Sequence, residues 1–220
     1  MSTFLGNKNR EHEPVWHVQV TMLAAIVLQL LLPDRYVFGS RYLLVGIEAL
    51  LLIAMSFTTP KERIFQSISR RINVFSLIVL TGVANGYSLI EVARQLLQNG
   101  RVNNGRELIL TAVNIYLTNI IVFGLWYWEM DAGGPGQRAR AAKHEQDFLF
   151  PQNQNEDFKH PNWRPTFIDY LYVSSTNGMA FSPTDTMPLS RRAKILMLVQ
   201  ATISLVAVAL VAARAVNILN

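Results

Sequence analysis

The stretch ILMLVQATISLVAVALVAA, residues 195–213, carries no charged side chain, and its only polar ones are Gln200, Thr202 and Ser204. A helix that crosses the hydrocarbon of a bilayer needs about 20 mostly apolar residues, so this segment has the length and chemistry of a span. Arg214, directly after it, can extend its long side chain towards headgroups. Four further runs approach the same length: Trp16 to Leu32, ending at Pro33-Asp34; Tyr42 to Phe57, apolar apart from Glu48; Val74 to Leu97; and Leu108 to Trp128. The fourth ends in WYWEMD, where Trp126, Tyr127 and Trp128 are expected to form an interfacial belt.

Composition agrees. Of 220 residues, 50% are hydrophobic and 16% charged, and the mean hydropathy is positive, which is more apolar surface than one soluble core of this size requires. The expected fold is therefore an all-α polytopic membrane protein with about five transmembrane helices, located in the cell membrane. A net charge of +5 could indicate nucleic acid, but the Lys and Arg residues sit in short loops between apolar runs, so no nucleic-acid partner is expected and the bilayer is the partner. The chain has no cysteine, which excludes disulfides and thiol chemistry. The polar start, residues 1–15, reads as a tail and not as a removable signal peptide.

Residues 16–128 thus form a four-helix region, and residues 129–165 a polar loop rich in Gly, Pro, Gln and Asn that reads as an exposed connection, with a short amphipathic helix around Ala139 to Phe148. Residues 166–217 form the last unit: TFIDYLYVSSTNGMAF, Thr166 to Phe181, then a turn, then the span quoted above. Sixteen helical residues reach about 24 Å, short of the roughly 30 Å hydrocarbon core, so this element is expected to be re-entrant or interfacial. Fourteen of the 20 Lys and Arg residues fall on the side of the N-terminus and the long loop, which favours that side as the inside.

From Tyr172 the chain reads YVSSTNGMAFSPTDTMPLSRRAKILMLVQATISLVAVALVAARAV. This resembles the pore hairpin of the potassium-channel superfamily: aromatic and Ser/Thr residues on a pore helix, a filter followed by an acid, a turn proline, and an inner helix. Tyr172 and Ser174 fall on the pore helix, Asp185 on the acid after the filter, Pro188 on the turn proline, Ala193 and Lys194 on the pair opening the inner helix, and Ala213, Arg214 and Val216 on its end. The stretch is similar as well to a group of uncharacterised bacterial integral membrane proteins that share a short aromatic-rich helix, a T/S-D turn and a basic start to the last helix.

The resemblance implies a cation pathway lined by Thr176, Asn177, Ser182, Thr184 and Asp185, with monovalent cations as its traffic and a homo-oligomer around it, because one hairpin cannot enclose a pore. The filter is degenerate. Where the family has T-x-G-Y-G, this chain has Ala180, Phe181, Ser182, Pro183 and Thr184, which lack the glycine freedom that turns successive carbonyls towards an ion. Weak selectivity or no conduction follows. The resemblance further implies a filter mouth, and hence an N-terminus, on the outside, opposite to the charge count.

Other features have structural readings beside their functional ones. Ser182 or Thr184 can cap the turn, and Ser190 can N-cap the last helix. Glu48 inside the second run is a candidate proton relay or cation contact; the alternative is a buried pair with an Arg, or a hydrogen bond to Asn85, Asn114 or Asn119. Gln29, Asn114, Asn119 and Gln200 read as interhelical glue, and Gly82-x-x-x-Gly86 and Ala209-x-x-x-Ala213 as close-approach positions. His144 and His160 fit no metal spacing, and no nucleophile with a base occurs, so neither metal, cofactor nor enzyme activity is expected. Two rival functions are a structural or adaptor membrane protein and, with less support, a proton-coupled small-solute transporter using Glu48.

Overall fold

The computed structural model describes residues 16–57, 68–99, 105–138, 145–154, 163–180 and 185–219. The N-terminal tail, His144, His160, Ser182, Pro183 and Thr184 lie outside the described residues.

Leu-, Val-, Ile- and Ala-rich runs without internal proline satisfy their backbone N–H and C=O groups within a helix, and each expected run becomes one. The long elements are α1 (Trp16–Leu30), α2 (Arg41–Phe57), α3 (Ile68–Asn99), α4 (Gly105–Met130) and α8 (Arg191–Leu219). Short helices α5 (Pro135–Arg138) and α6 (Pro151–Gln154) each begin with proline, whose missing N–H costs nothing in a first turn. Between them and α8 stand β1 (Phe148–Leu149), α7 (Phe167–Ala180) and β2 (Met187–Pro188). Helices α3, α4 and α8 run longer than the apolar runs because polar flanks continue them, and each gives a stretch long and apolar enough to cross a membrane: Arg70–Leu97 in α3, Arg106–Gly133 running from α4 into the 3-10 turn Asp131–Gly133, and Arg191–Ala213 in α8.

Contacts between side chains set the direction of each helix. At one end Arg70 of α3 meets Glu129 of α4, at 3.1 Å to both carboxylate oxygens. At the other, Arg35 between α1 and α2 meets Glu107 of α4 at 2.6 Å, and Arg41 bonds the Leu30 carbonyl and Asp34. Ser88 of α3 donates to Tyr36 O there at 2.7 Å. Helices α1, α2, α3 and α4 therefore alternate in direction. The Arg70–Glu129 end is called the clasp end below.

The bundle carries polar groups inside and apolar ones outside. Gln29, Glu48, Asn85, Asn119, Asn177, Gln200 and Ser204 are buried, while Leu43, Leu50, Val83, Leu110, Ile195, Leu198 and Leu205 are exposed. Two expectations are corrected. Tyr127 and Trp128 are not a belt: both rings are buried, Trp128 edge-on to Phe167 and Tyr127 against Phe148. And the segment after α4 is not an exposed connection, because Asp131, Ala132, Arg138, Asp147, Phe148 and Phe150 are buried. Of the helix expected from Ala139 to Phe148, residues 139–144 lie outside the described residues, and Phe148 is in a strand.

Candidate functional site

Helix α7 is cradled between α4 and α8. Its first residue Phe167 stands against Trp128 and its last turn against Tyr116 and Ile120, so it runs antiparallel to α4. Against α8, Ser174 meets Gln200 and Gly178 meets Ser204, so α7 and α8 run in the same direction. Both start at the clasp end. The chain that leaves α7 at Ala180, well inside the bundle, is back at that end by Met187, whose strand β2 pairs antiparallel with β1, Leu149↔Met187 and Phe148↔Pro188. Fourteen residues give α7 about 21 Å, too short to reach the far end.

Two glycines permit the fit. A Cβ on Gly124 of α4 would lie 3.2 Å from both Cα and Cδ1 of Leu171, and one on Gly178 of α7 would lie 3.2 Å from Ser204 Oγ. They replace the expected pair: a Cβ on Gly82 would meet only Val122 Cγ1 at an ordinary 3.4 Å, and one on Gly86 nothing within 4 Å. Ala209 and Ala213 face outward.

A buried hydrogen-bond network centred on Gln200 locks the three helices together. Its Nε2 donates to Ser174 O at 2.8 Å and Ser174 Oγ at 2.6 Å; its Oε1 accepts from Tyr127 Oη at 2.6 Å and Asn177 Nδ2 at 2.9 Å. Asn177 Nδ2 donates to Met197 O as well, at 3.0 Å, and Asn119 Nδ2 to Ser204 Oγ at 2.9 Å. Ser174 Oγ in turn donates to Ile120 O at 2.7 Å. An amide in an apolar setting is best satisfied by another helix, which is the glue role expected of Asn119 and Gln200.

At the clasp end the connection folds over the hairpin. Ala132, at φ 52°, and Gly133 and Gly134, at φ 80° and 96°, turn the chain sharply after α4. Buried Asp131 accepts from the Asp147 and Phe148 amides at 2.6 and 3.3 Å, and from Tyr170 Oη of α7 at 2.5 Å. Asp147 takes a two-pronged bond from Arg192 of α8, Nε and Nη2 each at 2.7 Å, while its carbonyl accepts from Leu189 N at 2.8 Å. Arg138 donates to the Trp128 and Pro165 carbonyls, pairs with Asp131 at 3.6 Å and covers the Tyr170 ring at 4.6 Å. Ser190 Oγ accepts from Ala193 N at 3.1 Å, the expected N-cap. The two aspartates thereby tie the end of α4, the start of α7 and the start of α8 to one point, just behind the turn. Paired, doubly bonded carboxylates of this kind are the strong form of the hydrogen bond.

The residues expected to line a cation path are only partly together. Asp185 is exposed at the clasp end and accepts from Thr186 Oγ1 at 3.3 Å. Thr176 is half-buried and bonds back to Tyr172 O and Val173 O, each at 3.0 Å. Asn177 points the other way, into the Gln200 network. Glu48 is remote from all three, fully buried between α1, α2 and α3. Its Oε1 accepts from Gln29 Nε2 at 3.0 Å and Thr81 Oγ1 at 2.8 Å. The alternatives expected for it are replaced: Asn85 and Asn114 bond the Ile115 and Leu28 carbonyls instead, and Asn119 belongs to the Gln200 network. Among the described residues no group of three or more His, Cys, Asp or Glu side chains is placed to hold a metal.

Sequence reasoning missed the clasp of Asp131, Arg138, Asp147 and Arg192, although the apolar triplet Phe148-Leu149-Phe150 inside a polar connection was a signal that this segment packs. No family model, curated protein or solved structure matches the chain.

Proposed function

We propose that the chain is an integral membrane protein with five spans, α1 to α4 and α8, and a re-entrant helix α7, and that α4, α7 and α8 form a pore-type module of the kind seen in cation channels. One observation carries this reading. A short helix lies between two antiparallel long ones, begins at the same end as the second, and its chain returns to that end within seven residues of Ala180. An outer helix, a pore helix and an inner helix are related in this way in a pore module. The polar interior and apolar exterior support the bilayer as solvent.

In this reading Asp185 draws monovalent cations to the mouth and Thr176 offers a hydroxyl oxygen to the path, with Ser182 and Thr184 the further oxygen donors expected from the sequence, in a homo-oligomer around the path. Asn177, held by Gln200, supports the hairpin and does not line the path. Without filter glycines, selectivity for potassium is weak. Purified protein in planar bilayers should pass monovalent cations, and Asp185→Asn should lower the current; silent bilayers with insertion demonstrated would contradict the proposal.

A second reading, a structural or adaptor membrane protein, draws on the completeness of the Gln200 network and the clasp, which would make the hairpin a packing module. It predicts a monomer or dimer with no axis at Ser182 to Asp185. Mass measurement in native-like membranes separates the two.

A further inference from the structure

We propose that Glu48, with Gln29, Thr81 and Asn85, forms a buried binding site for one small monovalent cation of sodium size, for which a proton competes. The site lies between α1, α2 and α3 and is independent of the pore reading, since none of its residues touches the α7 hairpin.

Three acceptor oxygens on these side chains lack donors. Gln29 Nε2 and Thr81 Oγ1 both bond Glu48 Oε1, so Glu48 Oε2 and Gln29 Oε1, on side chains already in contact, are buried and unpartnered. Asn85 Oδ1, one helical turn beyond Thr81 on α3, is buried and unpartnered too, its amide N–H having gone to Ile115 O. Exposure is 0% for Glu48 and 5% for each amide, so bulk solvent does not reach these oxygens. An unanswered carboxylate in such a place is costly, and the missing partner is a positive charge.

No side chain among the described residues supplies it. The titratable groups on the packed elements are engaged elsewhere: Arg70 by Glu129, Arg71 over the Phe75 ring at 5.5 Å, Arg41 by Asp34, Arg35 by Glu107, Glu91 by Arg94, and His17, in the first turn of α1, against the Trp16 ring. A proton on Oε2 would answer at most one of the two remaining amide oxygens. A hard cation answers several oxygens at once, because it is a centre and not a single directed bond. One carboxylate among neutral oxygens offers a single negative charge, which suits a monovalent ion better than a divalent one. Protonation of Glu48 removes that charge and occupies Oε2, so proton and ion exclude each other.

The test uses the full chain in lipid nanodiscs. Thermal unfolding is followed while sodium chloride replaces choline chloride at constant ionic strength, at alkaline and at mildly acidic pH, alongside radiosodium binding. Expected are a saturable rise in midpoint with sodium, a smaller rise at acidic pH, one ion bound per chain, and loss of both binding and rise in Glu48→Gln. Gln29→Leu, which keeps the carboxyl, should raise the apparent Kd roughly tenfold and serves if Glu48→Gln fails to fold. Equal midpoints in sodium and choline, or a sodium effect that survives Glu48→Gln, would overturn the proposal. So would a protonated-acid infrared band, absent from Glu48→Gln, that persists at alkaline pH in saturating sodium. Currents through Asp185 can fail while this binding stands, and the reverse, so the two proposals are judged separately.

Discussion

The seam where α4, α7 and α8 meet and the seam where α1, α2 and α3 meet both bury amides and hydroxyls, yet they are finished differently. In the first, the side chains of Tyr127, Ser174, Asn177, Gln200 and Ser204 are all hydrogen-bonded into one network. In the second, Gln29 Oε1, Glu48 Oε2 and Asn85 Oδ1 have none. A satisfied network rigidifies and fixes one arrangement, whereas an unsatisfied one stores a cost that something must offset. The contrast separates the scaffold that holds the hairpin from a seam built to receive a charge.

Substitutions should respond accordingly, beginning with the clasp. Asp147→Asn leaves the Arg192 guanidinium without its carboxylate and weakens the tie between the connection and α8, and Glu129→Gln does the same to the almost fully buried Arg70. Breaking one partner of a buried pair costs about 3–5 kcal/mol. Arg70 with Glu129 should sit at the upper end of that range, and half-exposed Arg192 at or below the lower end. Thermal unfolding in detergent measures both. A loss under 1 kcal/mol in Glu129→Gln would mean that the pair does not hold α3 to α4.

Gly124→Val comes next. Its added carbon atoms press on the Leu171 backbone, where even a Cβ would stand at 3.2 Å, and overpacking of this sort costs about 1–3 kcal/mol. The same change at Gly86, with open space around it, should cost a few tenths of a kcal/mol at most through its effect on packing. Gln200→Ala should lose about 1–2 kcal/mol by stranding Tyr127 and Asn177. Glu48→Gln in sodium-free buffer should be the smallest effect, neutral or slightly stabilising, because it removes a buried charge and adds a donor among orphaned acceptors. If Glu48→Gln destabilised as much as Gln200→Ala, the two seams would be alike.

How far these features could be read in the sequence depends on how local their causes are. The helices were legible because each is built on a long, mostly apolar run without proline, and so was the short α7, whose 14 residues cannot span. Gln200, Asn119 and the Ser190 cap were legible too: a lone amide in an apolar helix needs an interhelical partner, and a serine ahead of a helix has a free N–H to accept. The clasp was not. Asp131, Asp147 and Arg192 are scattered over sixty residues, and the Gly, Pro and Asn around the first two have the composition of any exposed loop. Gly124 and Gly178 each stand alone, without the four-residue repeat that drew notice to Gly82 and Gly86, and their close neighbours come from other elements. Glu48 was legible as a charge in the wrong place, but its partners, Gln29 and Thr81, depend on the relative rotation of three helices.

The central claim is that α7 enters and the chain returns on one side. The absence of native cysteine makes a direct test available. Single cysteines at Asp185, at exposed Gln154 beside the clasp, and at Asp34, whose side chain is 84% exposed at the opposite end, are labelled in sealed vesicles with a membrane-impermeant maleimide. The account predicts that positions 185 and 154 react from the same side and position 34 from the other, and which side that is will choose between the charge-count and the channel-like orientation. Labelling of 185 together with 34, opposite to 154, would mean that α7 crosses and that the account is wrong.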